Sequence, residues 1–478
     1  MLINSVQFLL FFFVVYVLYW LLRKNYKIQN GLLLVASYYF YGVTNWKMCA
    51  LLLAATFAFY GIGILIEKFS ENDVRKAKGW ETLGVILGVG ILLYFKYFNF
   101  FIENFSILFS TMGFKCDLYT FNIIMPIGVS FFTFKLISYV IEIGRKNMPA
   151  TKDFIVFATY VAFFPTIMSG PIDRPNKFIP QLQQPRHFLG EVTLQGLQQI
   201  LWGLFKKMVI ADNLASIVNS AWVNPTLAGS SYVVAMFLYS IQIYADFSGY
   251  SDMAIGVGKL MGFRVARNFN YPYFSRNISE FWRKWHISLT SWFTDYVYIP
   301  LGGNRRGKCR TMLNSLIVFT ICGFWHGADW SFVLWGFLNG ALFIPFLLQK
   351  NPQKYKNEPL KLSASTVAKI ILMFILSSIC WTFFRADNVD SALSFFGQML
   401  GPSLLSMPLF TGMTNVTFLV MIPYIVLFTI AEWIGKEKEC PLYMKQPYGI
   451  WQFVCYAFIM ASIYFLGADS STFIYFNF

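Results

Sequence analysis

Charge is scarce in this chain: of 478 residues only 13% are Asp, Glu, Lys or Arg, about half the share in an ordinary soluble domain. Histidine is scarcer still. His187, His286 and His326 are the only three, so a histidine-rich metal centre is excluded and no metal site is expected. The seven cysteines, at 49, 116, 309, 322, 380, 440 and 455, include no C-x-x-C and no paired spacing, which speaks against a disulfide framework or a zinc site. No internal repeat, no Pro/Gly/Ser linker and no low-complexity run marks a boundary, so the expectation is one membrane-embedded domain over residues 1–478. No basic soluble domain is present either, which excludes a nucleic-acid partner despite a net charge of +15.

What fills the chain instead is apolar. Hydrophobic residues make up 57% of it, aromatics 20%, and Phe alone occurs 53 times. A soluble core cannot hide that much surface, whereas a lipid bilayer is a solvent for it, with aromatic belts at both interfaces. Apolar stretches of spanning or near-spanning length run over 4–22, 46–66, 82–102, 122–142, 153–169, 191–210, 232–247, 311–325, 328–348, 366–384, 414–435 and 449–467, with a shorter one at 31–43. These predict an all-α polytopic membrane protein of about eleven to thirteen transmembrane and re-entrant helices. The start reads as a first span rather than a cleaved signal, because its apolar run from Phe8 to Leu22 ends in Arg23 and Lys24. Basic clusters at Arg23–Lys27, Lys68–Lys78, Arg145–Lys152, Lys350–Lys361 and Lys436–Lys445, all placed in the cytoplasm, put both termini outside if 31–43 crosses.

One region breaks the pattern. Residues 264–310 carry nine Lys or Arg (264, 267, 276, 283, 284, 305, 306, 308, 310) against Glu280 and Asp295. Trp282, Trp285, His286, Leu289 and Phe293 recur at helical spacing, which predicts an amphipathic segment that lies at the cytoplasmic interface or dips inward. The basic run has two readings: positive-inside anchoring, or an anion site for a phosphate-bearing donor built around Asn304, Arg305 and Arg306. His326 sits in Gly323-Phe-Trp-His-Gly327 between two apolar stretches, where an ionisable group is a functional candidate by default. Asp329 is placed to cap the next helix, turning its N-terminal amides toward His326. The competing reading is a buried His with one structural hydrogen bond, and for His286 a ring stacked among tryptophans. Asp246 and Asp252 read as structural carboxylates paired with later arginines such as Arg264 or Arg283. His187, after a turn-rich loop, reads as solvated and inert.

The motifs themselves resemble a known family. Phe281-Trp-Arg-Lys-Trp-His-Ile-Ser-Leu289, Tyr298-Ile-Pro-Leu-Gly-Gly-Asn-Arg305 and Phe324-Trp-His-Gly-Ala-Asp-Trp330 look like the core of the membrane-bound O-acyltransferases. The resemblance extends through Pro126–Phe134, Ser169–Pro175, Tyr244–Tyr250, Trp381–Ala386 and the terminal Phe473–Phe478. It covers core motifs over 126–386 and an aromatic tail over 468–478, and the fused tail is similar to the branch that O-acetylates alginate and peptidoglycan.

The resemblance implies helices around a central funnel or tunnel in a bacterial cytoplasmic membrane. It implies His326 as the active-site histidine, His286 as the second motif histidine, and Trp285 and Trp325 beside them near the donor. No bound cofactor is expected; acetyl-CoA is the implied donor, an extracytoplasmic SGNH-type acyltransferase the implied partner, and a polysaccharide the acceptor. Tyr475 matches the tail tyrosine proposed to carry the acyl group. Two other readings stay open from the residues alone: D-alanyl transfer from a carrier-protein thioester to teichoic acid, and a transporter or flippase, although the repeated halves of many transporters are missing.

Overall fold

A computed structural model of the chain describes residues 1–43, 45–114, 120–121, 123–349, 360–443, 449–468 and 473–474. Among them are twenty α-helices and no strand. An all-helical answer is what a hydrocarbon solvent demands, since every backbone N–H and C=O must find a partner within its own segment. The helix starts are written in the sequence. Ser5, Asn25, Asn45, Asp73, Asp153, Asn277, Asp329, Ser363 and Asn388 each cap a helix by accepting a first-turn amide.

Among the described residues, five helices are long and apolar enough to cross a bilayer: Trp46–Phe69, Val74–Thr111, Trp330–Leu348, Ala364–Arg385 and Met413–Gly435. Their outward faces carry exposed Phe57, Ile86, Phe337, Ile371 and Ile422, as lipid contact requires. Several boundaries differ from the sequence reading. The stretch 153–169 forms two pieces, Phe154–Ala162 and Phe164–Ile167, too short to span; Pro165 cannot continue the first helix. The stretch 82–102 belongs to one long helix interrupted by the π turn Leu93–Tyr97. The stretch 232–247 is the middle of the 32-residue helix Gly229–Leu260, and 31–43 lies in the helix Tyr26–Gly42.

The chain divides into two compact units. The first comprises Met1–Leu197 and Ala254–Ala266. Its centre is the helix Val129–Gly144, buried along nearly its whole length, with Lys135 donating to Thr166 Oγ1 at 2.9 Å and to the Tyr160 carbonyl at 3.3 Å. The second comprises Gln198–Met253 and Arg267–Phe478, and it contains both motif histidines.

Within the second unit, the helices Lys308–His326 and Trp330–Leu348 form an antiparallel hairpin in backbone contact. A Cβ on Gly323 would lie 2.2 Å from the Phe332 carbonyl oxygen, and one on Gly336 2.3 Å from that of Phe319. Only glycine permits this approach, the small-residue route by which helices associate in lipid. The hairpin therefore fixes where its last turn, and His326, must sit.

Candidate functional site

The first histidine is placed by a broken helix. Asn277 caps Ile278–Lys284 by accepting the Glu280 amide. The chain then leaves the helix at Trp285, turns at His286 with φ of 42°, and resumes as Ile287–Phe293. This corrects the single amphipathic helix expected from spacing. Trp282, Trp285, His286, Leu289 and Phe293 are all buried, but they belong to two short helices joined at the histidine. A left-handed conformation costs an L-residue about 1–2 kcal/mol, so the neighbours must impose it. Asn268 does so. Its carbonyl accepts the Ile287 amide at 2.8 Å, its side-chain oxygen accepts from Ser288 Oγ at 2.6 Å, and its side-chain nitrogen donates to Ser251 at 3.0 Å.

The second histidine ends the helix Lys308–His326. His326 is 4% exposed and His286 1%, and their ring centroids are 6.4 Å apart. Trp325 lies beside both, at 4.9 Å from His326 and 6.5 Å from His286. Trp335 and Phe384 each meet His326 edge-on at 5.2 Å. Behind them Trp335 stacks on Trp381 at 5.3 Å, and Trp381 lies 4.7 Å from Trp285. The two histidines thus share one aromatic enclosure that keeps bulk water away, a condition under which an imidazole serves acyl transfer without losing a thioester to hydrolysis. Asp329 caps the helix Trp330–Leu348 as expected, accepting the Ser331 amide at 2.7 Å. That amide is therefore engaged rather than turned to a substrate.

A cavity of about 330 Å³ opens beside this enclosure. Trp282, Arg283, Thr290, Tyr298, Asn304 and Ser315 are among the residues that line it. Of the residues expected to bind a donor, Asn304 is on this wall. Arg305 and Arg306 are exposed on the adjoining loop, while Trp285 and Trp325 are packed into the aromatic cluster. Part of the basic run is engaged internally: Glu280 pairs with Arg276 at 3.0 Å and Lys284 at 3.1 Å.

The acidic residues found other partners than those expected. Asp246 pairs with Lys207 at 2.8 Å, and Asp252 pairs with Lys206 and accepts from Gln199 Nε2 at 2.8 Å. The sequence reading missed both lysines, although two adjacent cations inside the apolar stretch 191–210 were the available signal. Glu432, buried within Met413–Gly435 and bonded to Tyr244 and Trp202, is a similar case. His187 is exposed, as read.

Tyr475 lies outside the described residues. The two residues before it are described. Phe473 is buried with its ring 5.8 Å from that of Phe247, which itself meets the His286 ring at 4.6 Å.

The model of the membrane-bound O-acyltransferase family matches residues 146–385. The chain is 35% identical over 452 residues to a probable alginate O-acetylase AlgI of Pseudomonas putida, covering 92% of this chain and 90% of the relative. It is 39% identical over 405 residues to a probable alginate O-acetylase AlgI of Pseudomonas aeruginosa, covering 84% and 75%. It is 34% identical over 411 residues to a peptidoglycan O-acetyltransferase of Helicobacter pylori, covering 79% and 75%.

Proposed function

The chain belongs to the membrane-bound O-acyltransferase family and is a multi-pass membrane O-acyltransferase, and from that premise we propose that it moves an acetyl group from cytoplasmic acetyl-CoA across the bilayer for O-acetylation of an extracytoplasmic polysaccharide. Family membership replaces the transporter reading. The names of its relatives support alginate, peptidoglycan or a related exopolysaccharide as acceptor.

The observation that carries the proposal is the pairing of His286 and His326 inside one water-poor aromatic enclosure, with Phe473 packed on the Phe247 ring that meets His286. In the proposed reaction the acetyl thioester lies against His326. The cavity lined by Arg283 and Asn304 receives the donor, and Arg305 and Arg306 attract its phosphates from the loop. His326 takes the proton of an acceptor hydroxyl, and that oxygen attacks the thioester carbonyl. The carbon–sulfur bond breaks, and the thiolate leaves, its conjugate acid having a pKa of about 8.5. His286 shapes the pocket and orients the acceptor.

The acceptor in this reading is the Tyr475 phenol. With a pKa of about 10, a phenol is easier for a histidine to activate than a sugar alcohol, and its ester is a good donor in turn. A partner acyltransferase of SGNH type, on the outer side, would then take the acetyl group on its serine and pass it to the polymer. The test is polymer O-acetylation in cells expressing His326→Ala or Tyr475→Phe at wild-type levels. Both variants are expected to abolish it. Normal acetylation with Tyr475→Phe would mean that the polymer hydroxyl reaches His326 directly.

A further inference from the structure

Ile474 is held by a group that the mechanism above does not use. The helix Ile450–Leu466 is tied down where the Leu466 carbonyl accepts from Asn213 Nδ2 at 2.8 Å and the Ala468 amide donates to the Met208 carbonyl at 3.3 Å. Further on, the Phe473 ring is 2% exposed and lies 5.0 Å from Tyr250 and 5.8 Å from Phe247. The Phe247 ring in turn meets the His286 ring at 4.6 Å. Beside this slot, the Ile474 amide donates to Asp246 Oδ2 at 2.9 Å. The next residue in sequence is Tyr475.

Asp246 is built to be available for that amide. It is 2% exposed, and Lys207 Nζ sits 2.8 Å from its Oδ1, leaving Oδ2 to the Ile474 N–H. Lys207 also pairs with Asp212 at 2.7 Å. Lys206 and Lys207 both point inward from the π turn Phe205–Ala211, a wider turn of the kind often found at functional sites. The turn and the residues just before it are pressed onto the helix Gly229–Leu260 at a glycine crossing, where a Cβ on Gly203 would lie 2.6 Å from the Gly249 carbonyl oxygen and one on Gly249 3.1 Å from the Lys207 amide nitrogen. Backbone contact there delivers Lys207 to Asp246.

We propose that Asp246 is a positioning residue, a buried docking carboxylate that clips the main chain at Ile474 while Phe247 and Tyr250 grip Phe473, and that acetyl transfer to the tail depends on this docking. The proposal rests on reading Tyr475 as the acyl carrier. Recognition through a main-chain amide and one aromatic ring is indifferent to the side chain at 474. Docking therefore depends on the Ile474 N–H and not on its identity.

Two readouts on the full-length protein in membranes test this. The first is the rate at which a thiol reagent labels Ile474→Cys, located by mass spectrometry of the C-terminal peptide. Adding Asp246→Ala is expected to speed labelling at least about tenfold, the range of a lost hydrogen bond to a charged group; an unchanged rate would overturn the proposal. Lys207 keeps Asp212, so this substitution strands no buried charge. The second readout is the rate of acetyl transfer to the tail. Asp246→Ala and Ile474→Pro, which deletes the N–H, should each slow it about tenfold, while Ile474→Ala stays near wild type. The double variant Asp246→Ala/Ile474→Pro should be no worse than the slower single, because both remove one bond. Losses that multiply to about a hundredfold would mean that Asp246 acts elsewhere, and would overturn docking. If Tyr475→Phe acetylates polymer normally while labelling still responds to Asp246→Ala, the tail docks as proposed and the carrier reading is what fails.

Discussion

Gly323→Ala should uncouple the active site from the rest of the protein. The added Cβ would sit 2.2 Å from the Phe332 carbonyl oxygen and 2.9 Å from Gly336 Cα. Both obstacles are backbone, so no side chain can swing aside. Ordinary van der Waals contact requires the helices Lys308–His326 and Trp330–Leu348 to part by about 1 Å or more at this level. Overpacking of this kind costs about 1–3 kcal/mol of stability. The functional effect should be larger, because the opening falls one turn before His326, and a displacement of about 1 Å at a reacting group lowers rate about a hundredfold. Two glycines calibrate it. Gly340→Ala meets Leu316 at 3.0 Å, farther along the hairpin, and should have a weaker effect; Gly31→Ala meets nothing within 4 Å and should be neutral. The assay pairs thermal unfolding in detergent with the rate of thioester-dependent acetyl transfer. If Gly323→Ala retains wild-type transfer, His326 is not held in place by the hairpin and the positioning argument fails.

His286→Asn should keep the fold, because Asn tolerates the left-handed backbone at φ of 42°, yet lose acetyl transfer by about a hundredfold or more; retained activity would make His286 a packing residue only. Lys207→Met should destabilise by about 3–5 kcal/mol, since it removes the cation that Asp212 and Asp246 share in the interior, and it should unfold more readily than Asp246→Ala in the same detergent; the opposite order would deny the trio its shared cation. Arg283→Gln should raise KM for acetyl-CoA with little change in kcat, because Arg283 lines the cavity, whereas Arg305→Gln/Arg306→Gln should weaken binding mainly at low salt, because those side chains are exposed; equal effects at all salt concentrations would contradict the distinction.

The sequence displayed the class of the molecule and marked the two histidines as candidates, because both are properties of local composition: apolar length for the spans, and an ionisable residue between glycines for His326. It also displayed the Asp329 cap, which is a short-range hydrogen bond. What it hid depends on the third dimension. Helical spacing over Trp282–Phe293 counts positions and does not register that Asn268, from outside the segment, holds His286 in a left-handed turn. Asp246 and Asp252 were matched to arginines later in the chain because those were the nearest abundant cations. The actual partners, Lys206 and Lys207, come from an earlier helix through a glycine crossing that periodicity cannot reveal. The cavity wall shows the same limit: Asn304 was legible from its basic neighbourhood, whereas Arg283 reaches the wall from a different motif.

The most direct test of acyl transfer through His326 is a single turnover with acetyl-CoA followed by mass spectrometry of the C-terminal peptide, comparing wild type with His326→Ala. If His326 is the base and Tyr475 the carrier, the wild-type peptide gains one acetyl group on Tyr475 and the variant peptide gains none, with its thioester left intact. An acetylated Tyr475 in the His326→Ala protein would contradict the role assigned to that histidine.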